Sequence, residues 1–297
     1  MLFTKKNGYE KREELRKLLK KGKLLRFPGS YSPLVSMLIE QKRFDGIYIS
    51  GAVLSNDLGL PDIGLTSLQE VSSRGGVIAN SCNLPGIIDI DTGFGETVNV
   101  ARTVVELEQS GLAGCHLEDQ ILPKRCGHLD HKELVESKEM EKKIKAAVDA
   151  RRDPNFLIIA RTDARSSEKM AGAINRAKAY VDAGAEMIFP EALQNEKEFE
   201  QFRKEIKVPL LANMTEFGKS KLLDYQTLEK LGYNIVIYPV TTVRLAMKAV
   251  EDGLDHLLEH GGQEEILPKM QTRQRLYEIL NYEKYNKFDK DIFNFKL

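Results

Sequence analysis

Cysteine is scarce in this chain, and long apolar runs are absent. The 297 residues include three cysteines, Cys82, Cys115 and Cys126, and no C-x-x-C pair. An odd count at such wide spacing argues against a disulfide framework and against a thiolate zinc site. No apolar segment approaches the roughly 20 residues that span a bilayer. Residues 1–23 are rich in Lys, Arg and Glu and lack the apolar core of a signal peptide. These absences predict a cytoplasmic protein.

An excess of charge of either sign is also lacking. Lys+Arg and Asp+Glu both number 44, so the formal net charge is zero. This balance indicates neither a basic nucleic-acid surface nor a polybasic membrane patch. The 42% hydrophobic and 30% charged residues are typical of a soluble globular protein. The length fits a single α/β barrel.

Short apolar segments alternate with helical patterns along the chain. Eight segments are typical of buried strands: 24–27, 46–50, 87–91, 114–118, 156–161, 187–190, 209–213 and 234–238. Helical stretches include 98–109, 139–151, 169–182, 196–204, 242–252 and 264–280. Eight βαβ units in this length predict a closed (β/α)8 TIM-type barrel. A doubly wound sheet is the alternative, but no G-x-G-x-x-G follows the first strand. We predict one barrel domain over residues 1–297, with 264–297 as its helical extension.

The predicted strands end in polar side chains, at the positions where barrel enzymes carry their catalytic groups. Asp89 and Asp91 stand two apart, so on a strand both face the same side. Two carboxylates at one barrel mouth repel each other unless a cation lies between them, and hard oxygen ligands favour magnesium or manganese. Glu118 ends the next strand and can reach the same place. The alternative is that one aspartate caps the following helix and the other pairs with an arginine.

A long polar loop follows the fourth strand and contains Cys126. Lys124 and Arg125 precede this cysteine and His128 follows it, a setting that lowers the pKa of a thiol and raises its reactivity. A loop of this length is typical of a lid over an active site. The other two cysteines lie in or beside apolar segments and are interpreted as buried structural residues. A zinc site at Cys126 and His128 lacks two further ligands.

Three arginines and one histidine are further candidates. Guanidinium groups suit carboxylates, so Arg161, Arg244 and Arg273 near one metal site would indicate a substrate with more than one carboxylate. Taken singly, Arg244 and Arg273 are more typical of surface ion pairs, whereas Arg161 ends a strand inside the barrel mouth. His116 stands two residues before Glu118 on the same predicted strand, so the two side chains face the same side. We interpret His116 either as a residue that orients a ligand or as a core histidine whose hydrogen bonds are satisfied.

Several motifs occur together and in a specific order. They are YISG at 48–51, DIDTGFG at 89–95, EDQ at 118–120, KRCGH at 124–128, ARTDAR at 160–165, FPEA at 189–192, ANMTEF at 212–217 and MQTR at 270–273. In this order the chain resembles the isocitrate lyase and phosphoenolpyruvate mutase superfamily over almost its whole length. Within the superfamily it is most similar to the 2-methylisocitrate lyases.

The resemblance implies a metal site and a substrate site. Magnesium, with manganese as a substitute, would be held by Asp89 and Asp91 and reached through water by Asp57 and Glu118. The residues implied around a small di- or tricarboxylate substrate are Ser50, Gly51, Ala52, Gly127, Arg161, Glu191, Asn213, Thr215, Arg244 and Arg273.

The activity implied by the resemblance is cleavage of 2-methylisocitrate to pyruvate and succinate, in the methylcitrate cycle of propionate breakdown. Cys126 is then the acid that protonates the carbanion leaving as succinate, and Arg161 and Glu118 complete the catalytic set. Tyr48, at a strand end, is our candidate for the general base, and a carboxylate beside the metal is the alternative.

Substrate choice and assembly are also implied by the resemblance. Phe189, Ile237 and Pro239 align with the positions that make room for the extra methyl group, where isocitrate lyases carry bulkier or more polar residues. Isocitrate lyase, oxaloacetate decarboxylase or phosphonopyruvate hydrolase activity is the alternative, and a non-catalytic binding barrel is a weaker one. The resemblance implies a homotetramer, a dimer of dimers, in which the last barrel helix is exchanged between subunits.

Overall fold

The computed structural model describes residues 4–125, 127 and 132–294, and eight strands run through this part of the chain. They are β1 Leu25–Pro28, β2 Ile47–Ile49, β3 Gly86–Asp89, β4 Gly114–Glu118, β5 Leu157–Thr162, β6 Met187–Pro190, β7 Leu211–Asn213 and β8 Ile235–Tyr238. Each strand overlaps the apolar segment predicted for it. The prediction succeeds because parallel strands covered on both faces are nearly continuous apolar runs.

The strands are all parallel and close into a barrel. Hydrogen bonds join β2 through β6 in chain order, and the remaining strands follow the order β1, β8, β7. Two isolated parallel bridges connect the two groups, one between Gly29 and Tyr48 and one between Ile188 and Leu210. The predicted (β/α)8 barrel is thereby confirmed. All carboxyl ends of the strands open on one face, where barrel active sites are built.

Helices alternate with the strands or follow them. In the described residues they are α1 Gly8–Lys20, α2 Pro33–Gln41, α3 Gly51–Asp57, α4 Leu68–Ala79, α5 Thr97–Gln109, α6 Ser137–Ala150, α7 Arg165–Asp182, α8 Glu196–Glu205, α9 Tyr225–Lys230, α10 Thr241–His260, α11 Arg273–Ile279 and α12 Tyr282–Phe293. Two of them begin at capping boxes: Asn7 and Ser67 accept a bond from the N–H of Glu10 and Glu70, whose carboxylates accept the N–H of the cap.

Alternate side chains of the strands fill the inside of the barrel. This inner cluster contains Leu25, Phe27, Tyr48, Ile87, Leu157, Ile159, Met187, Phe189, Leu211, Ile235 and Ile237. The intervening side chains belong to a second cluster, which includes the buried faces of the surrounding helices. The barrel is therefore a packed core whose carboxyl end carries the polar groups.

The first helix, α1, closes the opposite end of the barrel. Leu15 is fully buried and belongs to the inner cluster. Arg12 donates to the carbonyl of Leu112, and Arg16 donates to the carbonyl of Asn155. Both carbonyls lie just before strands, so α1 is attached at the amino end of the barrel.

The chain divides into two compact units, Met1–Thr242 and Val243–Leu297. The stretch 264–280, predicted as one helix, is instead a 3₁₀ turn, Glu264–Lys269, followed by α11. Pro268 lies in that turn, and proline lacks the N–H that a continuing helix needs. Within residues 4–125, 127 and 132–294, no helix has the length and apolar character needed to cross a membrane. The single domain over residues 1–297 stays a prediction.

Candidate active site

Asp89 and Asp91 lie buried at the carboxyl end of β3. The strand ends at Asp89, and Asp91 has a φ of 48°, so it lies in a left-handed turn. The expectation that strand parity aligns the two carboxylates is wrong, but the turn still brings them together. The Asp91 N–H donates to Asp89 Oδ1 at 3.0 Å, and the Gly51 N–H donates to Asp89 Oδ2 at 3.3 Å. A Cβ at Gly51 would lie 3.1 to 3.2 Å from both carboxylates, so glycine leaves room there.

Lys124 supplies positive charge beside Asp91. Its buried ammonium lies 2.8 Å from Asp91 Oδ1 and also pairs with Asp62. Asp57, which was predicted to reach the metal, pairs with Arg74 instead, and its side chain is 41% exposed. The charge of Asp62 also acts on Asp91, where it raises the pKa. Asp62 thus contacts Lys124 beside Asp91, and the role of Asp57 at the metal stays a prediction.

Glu118 ends β4 and is buried. Neither of its carboxylate oxygens accepts a hydrogen bond, although Oε2 lies 3.2 Å from Arg161 Nε. The two residues are paired in register across β4 and β5. Burial raises the pKa of Glu118 well above its usual value, against the opposing charges of Arg161 and Lys124. A buried carboxylate with a raised pKa that accepts no hydrogen bond is suited to bind a proton or a cation.

Arg161 is the centre of the neighbouring charge network. Its Nε and Nη2 donate to the carboxylate of Asp163 at 2.9 and 3.2 Å, and Nη2 lies 3.2 Å from Glu191 Oε2. The guanidinium also lies 5.1 Å from the ring centroid of Phe189. Burial opposes its charge, but Asp163, Glu118 and Glu191 outweigh burial and hold the pKa of Arg161 well above its usual value. A permanent cation suited to a substrate carboxylate therefore stands at the end of β5.

Four other predicted substrate contacts share this end of the barrel. Asn213 ends β7, and its Nδ2 donates to both oxygens of Glu191 at 3.3 and 3.4 Å. Asn213 Oδ1 is buried and has no hydrogen-bond partner. Thr215 is buried two residues further on, and Ser50 is the N-cap of α3 without a side-chain capping bond. Ala52 lies in the first turn of α3.

His116 connects the candidate base Tyr48 to Asp89. Its Nε2 lies 2.7 Å from the Tyr48 hydroxyl and 3.7 Å from Asp89 Oδ1. Burial lowers the pKa of His116 to about 4 and raises the pKa of Tyr48 well above its usual value. A neutral imidazole thus faces a protonated phenol. Tyr48 is therefore better suited to form hydrogen bonds than to remove a proton.

Gly127 belongs to the signature loop and packs on the charge network. A Cβ at this position would overlap Nη2 of Arg161 and the side chain of Glu191. Lys132 Nζ donates to the Gly127 carbonyl. Cys126, the predicted acid, lies outside the described residues.

The remaining predicted residues lie elsewhere in the chain. Arg244 is in α10 and Arg273 is the first residue of α11, both in the second unit, and their role as substrate contacts stays a prediction. Cys82 and Cys115 are buried free thiols, and burial raises the pKa of Cys82 to about 11. Their interpretation as buried structural cysteines is confirmed.

Acidic groups outnumber cations in the site. The six carboxyl groups are Asp62, Asp89, Asp91, Glu118, Asp163 and Glu191, and the three cations are Lys124, Lys132 and Arg161. Burial raises the pKa of Asp91 to about 6. In the described part of the chain, no group of three or more His, Cys, Asp or Glu is arranged to hold a metal ion. Magnesium, however, needs only one or two carboxylates together with water, so the acidic excess and the hydrogen-bond-free oxygens of Glu118 fit that ion.

Four charged residues of the site were not among its predicted ligands or catalytic groups: Asp62, Lys124, Lys132 and Asp163. Asp163 has the same parity as Arg161 and directly follows β5, so strand periodicity could have indicated it. The other three lie in loops, where no periodicity shows which way a side chain points.

Proteins named as 2-methylisocitrate lyases are similar to this chain over most of their length. The chain is 58% identical over 274 residues to "Probable 2-methylisocitrate lyase 1" of Corynebacterium glutamicum, a match that covers 92% of this chain and 90% of that protein. It is 45% identical over 290 residues to the 2-methylisocitrate lyase of Bacillus subtilis, with 96% of each chain covered.

Solved structures agree with these sequence matches. A 2,3-dimethylmalate lyase, described as a PEP mutase/isocitrate lyase superfamily member, has a TM-score of 0.89 at 31% identity, with 95% of each chain covered. A phosphonopyruvate hydrolase in complex with oxalate and Mg²⁺ has a TM-score of 0.86 at 32% identity, over 94% of this chain and 98% of that one. The family model described as phosphoenolpyruvate phosphomutase matches residues 15–258. The chain therefore belongs to the phosphoenolpyruvate phosphomutase family, within the PEP mutase/isocitrate lyase superfamily.

Proposed function

We propose that this protein is a carbon–carbon lyase that cleaves 2-methylisocitrate to pyruvate and succinate. The observation that carries the proposal is the buried acidic cluster around Arg161, in a chain 58% identical to a protein named as a probable 2-methylisocitrate lyase. The cluster combines carboxylates that suit a divalent cation with a guanidinium that suits a carboxylate. A tricarboxylate that carries a hydroxyl group matches both features.

Magnesium is the proposed metal, with manganese as the alternative. Asp89 and Asp91 are the proposed ligands, and Glu118 and Asp62 are proposed to reach the ion through water. Asp57 is the residue that the resemblance implies for this last role, and Asp62 is proposed beside it because Asp62 shares Lys124 with Asp91, whereas Asp57 pairs with Arg74. When bound, the ion polarises the hydroxyl and carboxylate oxygens on the pyruvate side of the substrate. The related hydrolase solved with oxalate and Mg²⁺ supports this choice of metal.

The reaction needs two proton transfers, and we assign each to a different residue of the chain. Glu118 is the proposed base for the substrate hydroxyl, because its buried oxygens accept no hydrogen bond and a bound cation would favour its ionised form against the effect of burial, whereas the raised pKa of Tyr48 keeps the proton on the phenol. As the hydroxyl carbon becomes the keto carbon of pyruvate, the C–C bond breaks and its electron pair stays on the other fragment. Arg161 stabilises the negative charge of that fragment. Cys126 then donates the proton that completes succinate.

Apolar side chains are proposed to accommodate the methyl group of the substrate. Phe189 and Ile237 belong to the inner cluster of the barrel, and the ring of Phe189 packs edge-on against His116 at 5.2 Å. With Pro239, they would favour a substrate that carries a methyl group, because burial of a methyl against apolar atoms is favourable. This pocket would distinguish 2-methylisocitrate from isocitrate.

Assembly and location form a further part of the proposal. We propose a cytoplasmic homotetramer, a dimer of dimers, that acts in the methylcitrate cycle of propionate breakdown. Large apolar side chains of α10, such as Leu254 and Leu258, are exposed in the single chain, which supports association. Exchange of C-terminal helices between subunits is the proposed route.

Product analysis with purified protein tests the activity. With 2-methylisocitrate and magnesium we expect pyruvate release, followed by lactate dehydrogenase coupling and NADH absorbance. A chelator should abolish the release and added magnesium should restore it. Asp91→Asn should also abolish it, since it removes a proposed ligand while keeping the size of the side chain.

A parallel assay of glyoxylate release from isocitrate tests whether the enzyme prefers 2-methylisocitrate to isocitrate. Release of pyruvate with little glyoxylate is the expected result. Faster glyoxylate release would contradict the proposed substrate while leaving the metal site in place. Absence of both products would contradict the proposed function.

A further inference from the structure

Lys132, Asp163, Arg161 and Gly127 form a closed ring of contacts beside the proposed substrate site. Lys132 Nζ donates to Asp163 Oδ1 at 2.8 Å and also to the Gly127 carbonyl. Asp163 accepts two bonds from Arg161 at 2.9 and 3.2 Å. Arg161 packs so close to Gly127 that a Cβ there would overlap its Nη2. These contacts connect two loop residues, Gly127 and Lys132, to Arg161 and Asp163 at the end of β5.

All the charged members of the ring are shielded from solvent. The side chains of Lys132 and Asp163 are 1% and 0% exposed. Burial acts to raise the pKa of Asp163, but the charges of Arg161 and Lys132 outweigh it, and the pKa lies below its usual value. Charges buried this deeply are costly unless each is paired. Loss of the Lys132 ammonium would therefore leave Asp163 and the Gly127 carbonyl without one partner each.

Asp119 fixes the position of Asp163 in the barrel. Asp119 Oδ1 accepts the N–H of Asp163 at 2.8 Å, and Oδ2 accepts the hydroxyls of Thr162 at 2.8 Å and Tyr180 at 2.7 Å. These bonds connect β5 to α7 and to the residue that follows β4. Asp163, the acidic partner of Lys132, is therefore fixed to the barrel. Because the Lys132 ammonium binds both Asp163 and the Gly127 carbonyl, it holds Gly127 at a fixed distance from the barrel.

We propose that Lys132 is a positioning residue, whose ammonium holds the Gly127 carbonyl at a set place against Arg161. The inference rests on the proposed function, in which Gly127 and Arg161 both contact the substrate. Gly127 directly follows Cys126 in the chain, so the place of Gly127 also bears on the proposed proton donor. A purely structural role for Lys132, as the counter-charge of Asp163, would affect stability and leave turnover by the folded enzyme unchanged.

Lys132→Met removes the ammonium and keeps much of the length of the side chain. We expect kcat to fall about 10- to 100-fold with KM changed less than about threefold, because misplaced groups slow the chemical step more than they weaken binding. Lys132→Gln, whose amide can still donate to a carbonyl, should lose less activity. Lys143→Met is the matched control, since Lys143 is a buried lysine of α6 outside the ring, and it should keep the wild-type kcat.

Hydrogen exchange provides a readout that needs no turnover. In the protein without substrate, the amides of Arg125 and Gly127 should exchange faster in Lys132→Met than in the wild type, and not in Lys143→Met. Unchanged exchange and kcat would overturn the proposal, as would a kcat loss that matches a lost folded fraction in near-UV circular dichroism. If the wild type does not cleave 2-methylisocitrate, the proposed function fails, and the exchange result alone decides whether Lys132 anchors the loop.

Discussion

Replacement of Cys126 by serine tests the proposed proton donor. Serine keeps the size of the side chain, but its hydroxyl is a far weaker acid than a thiol. We expect kcat for pyruvate release to fall by about 10² to 10⁴-fold, the usual contribution of a general acid. Substrate affinity, measured by calorimetry in the presence of magnesium, should stay close to that of the wild type because the thiol acts in the chemical step.

Cys82→Ala provides the matched control for this experiment. Cys82 is buried beside Lys11, which donates to the carbonyl of Ala79, and none of these residues belongs to the site. Its loss should leave turnover at the wild-type rate. If Cys126→Ser kept more than about one tenth of the turnover, the assignment of Cys126 as the acid would be wrong, because a tenfold loss is below the range of general acid catalysis.

Individual site residues could be predicted from the sequence where they lie on strands. Glu118 and Arg161 are the last polar residues of apolar runs, and the barrel rule places them at the mouth. Asp62 lies in a loop, where no periodicity shows which way a side chain points, and the role of Asp57 at the metal stays a prediction. Which of two nearby aspartates turns toward the site depends on ion pairs with Lys124 and Arg74, and these form only in the folded chain.

At the scale of elements, strand positions could be predicted but local reversals of the backbone could not. Apolar runs indicate the positions of β1 to β8 well. However, β3 ends at Asp89 rather than at the predicted residue 91, where Asp91 has a φ of 48°, and Lys169, with a φ of 61°, interrupts α7. Left-handed conformations of residues other than glycine leave little trace in the sequence. The closing role of α1 was also not predicted, because its apolar residues are few and their partners lie far away in the chain.

Leu15→Ala tests whether α1 closes the barrel as an element of the core. Leu15 is fully buried in the inner cluster, so we expect the free energy of unfolding to fall by about 2 to 5 kcal/mol. Urea unfolding followed by circular dichroism gives this value. The kcat of the folded enzyme should not change, because Leu15 lies at the amino end and the site lies at the carboxyl end.

Leu19→Ala is the comparison within the same helix. Leu19 is only half-buried, so its truncation should cost less than that of Leu15. Equal losses for the two variants, or a loss for Leu15→Ala below about 1 kcal/mol, would contradict the packing described for α1, because full burial of a leucine is worth more than this.

At the scale of the whole molecule, the helix α10 leaves an apolar face in water. Met247, Val250, Leu254 and Leu258 recur at intervals of three and four residues, which places them on one side of the helix. All four are exposed, Leu258 at 87%, and α10 has no buried residue in the single chain. An apolar face of this extent is typical of an association surface. The amphipathic pattern could be predicted from the sequence, but the exposure of these four side chains in the described part of the chain could not.

Light scattering coupled to size-exclusion chromatography tests the proposed tetramer. The wild type should have about four times the chain mass of 33.6 kDa. The double substitution Leu254→Arg with Leu258→Arg places two charges on the apolar face of α10 and should lower this mass, because burial of unpaired charge is costly. Asp252→Arg, on the opposite side of the same helix, changes charge without touching that face and should leave the mass unchanged. A wild type of 33.6 kDa would contradict the proposed assembly, and a double variant as large as the wild type would show that α10 is not the surface that forms it.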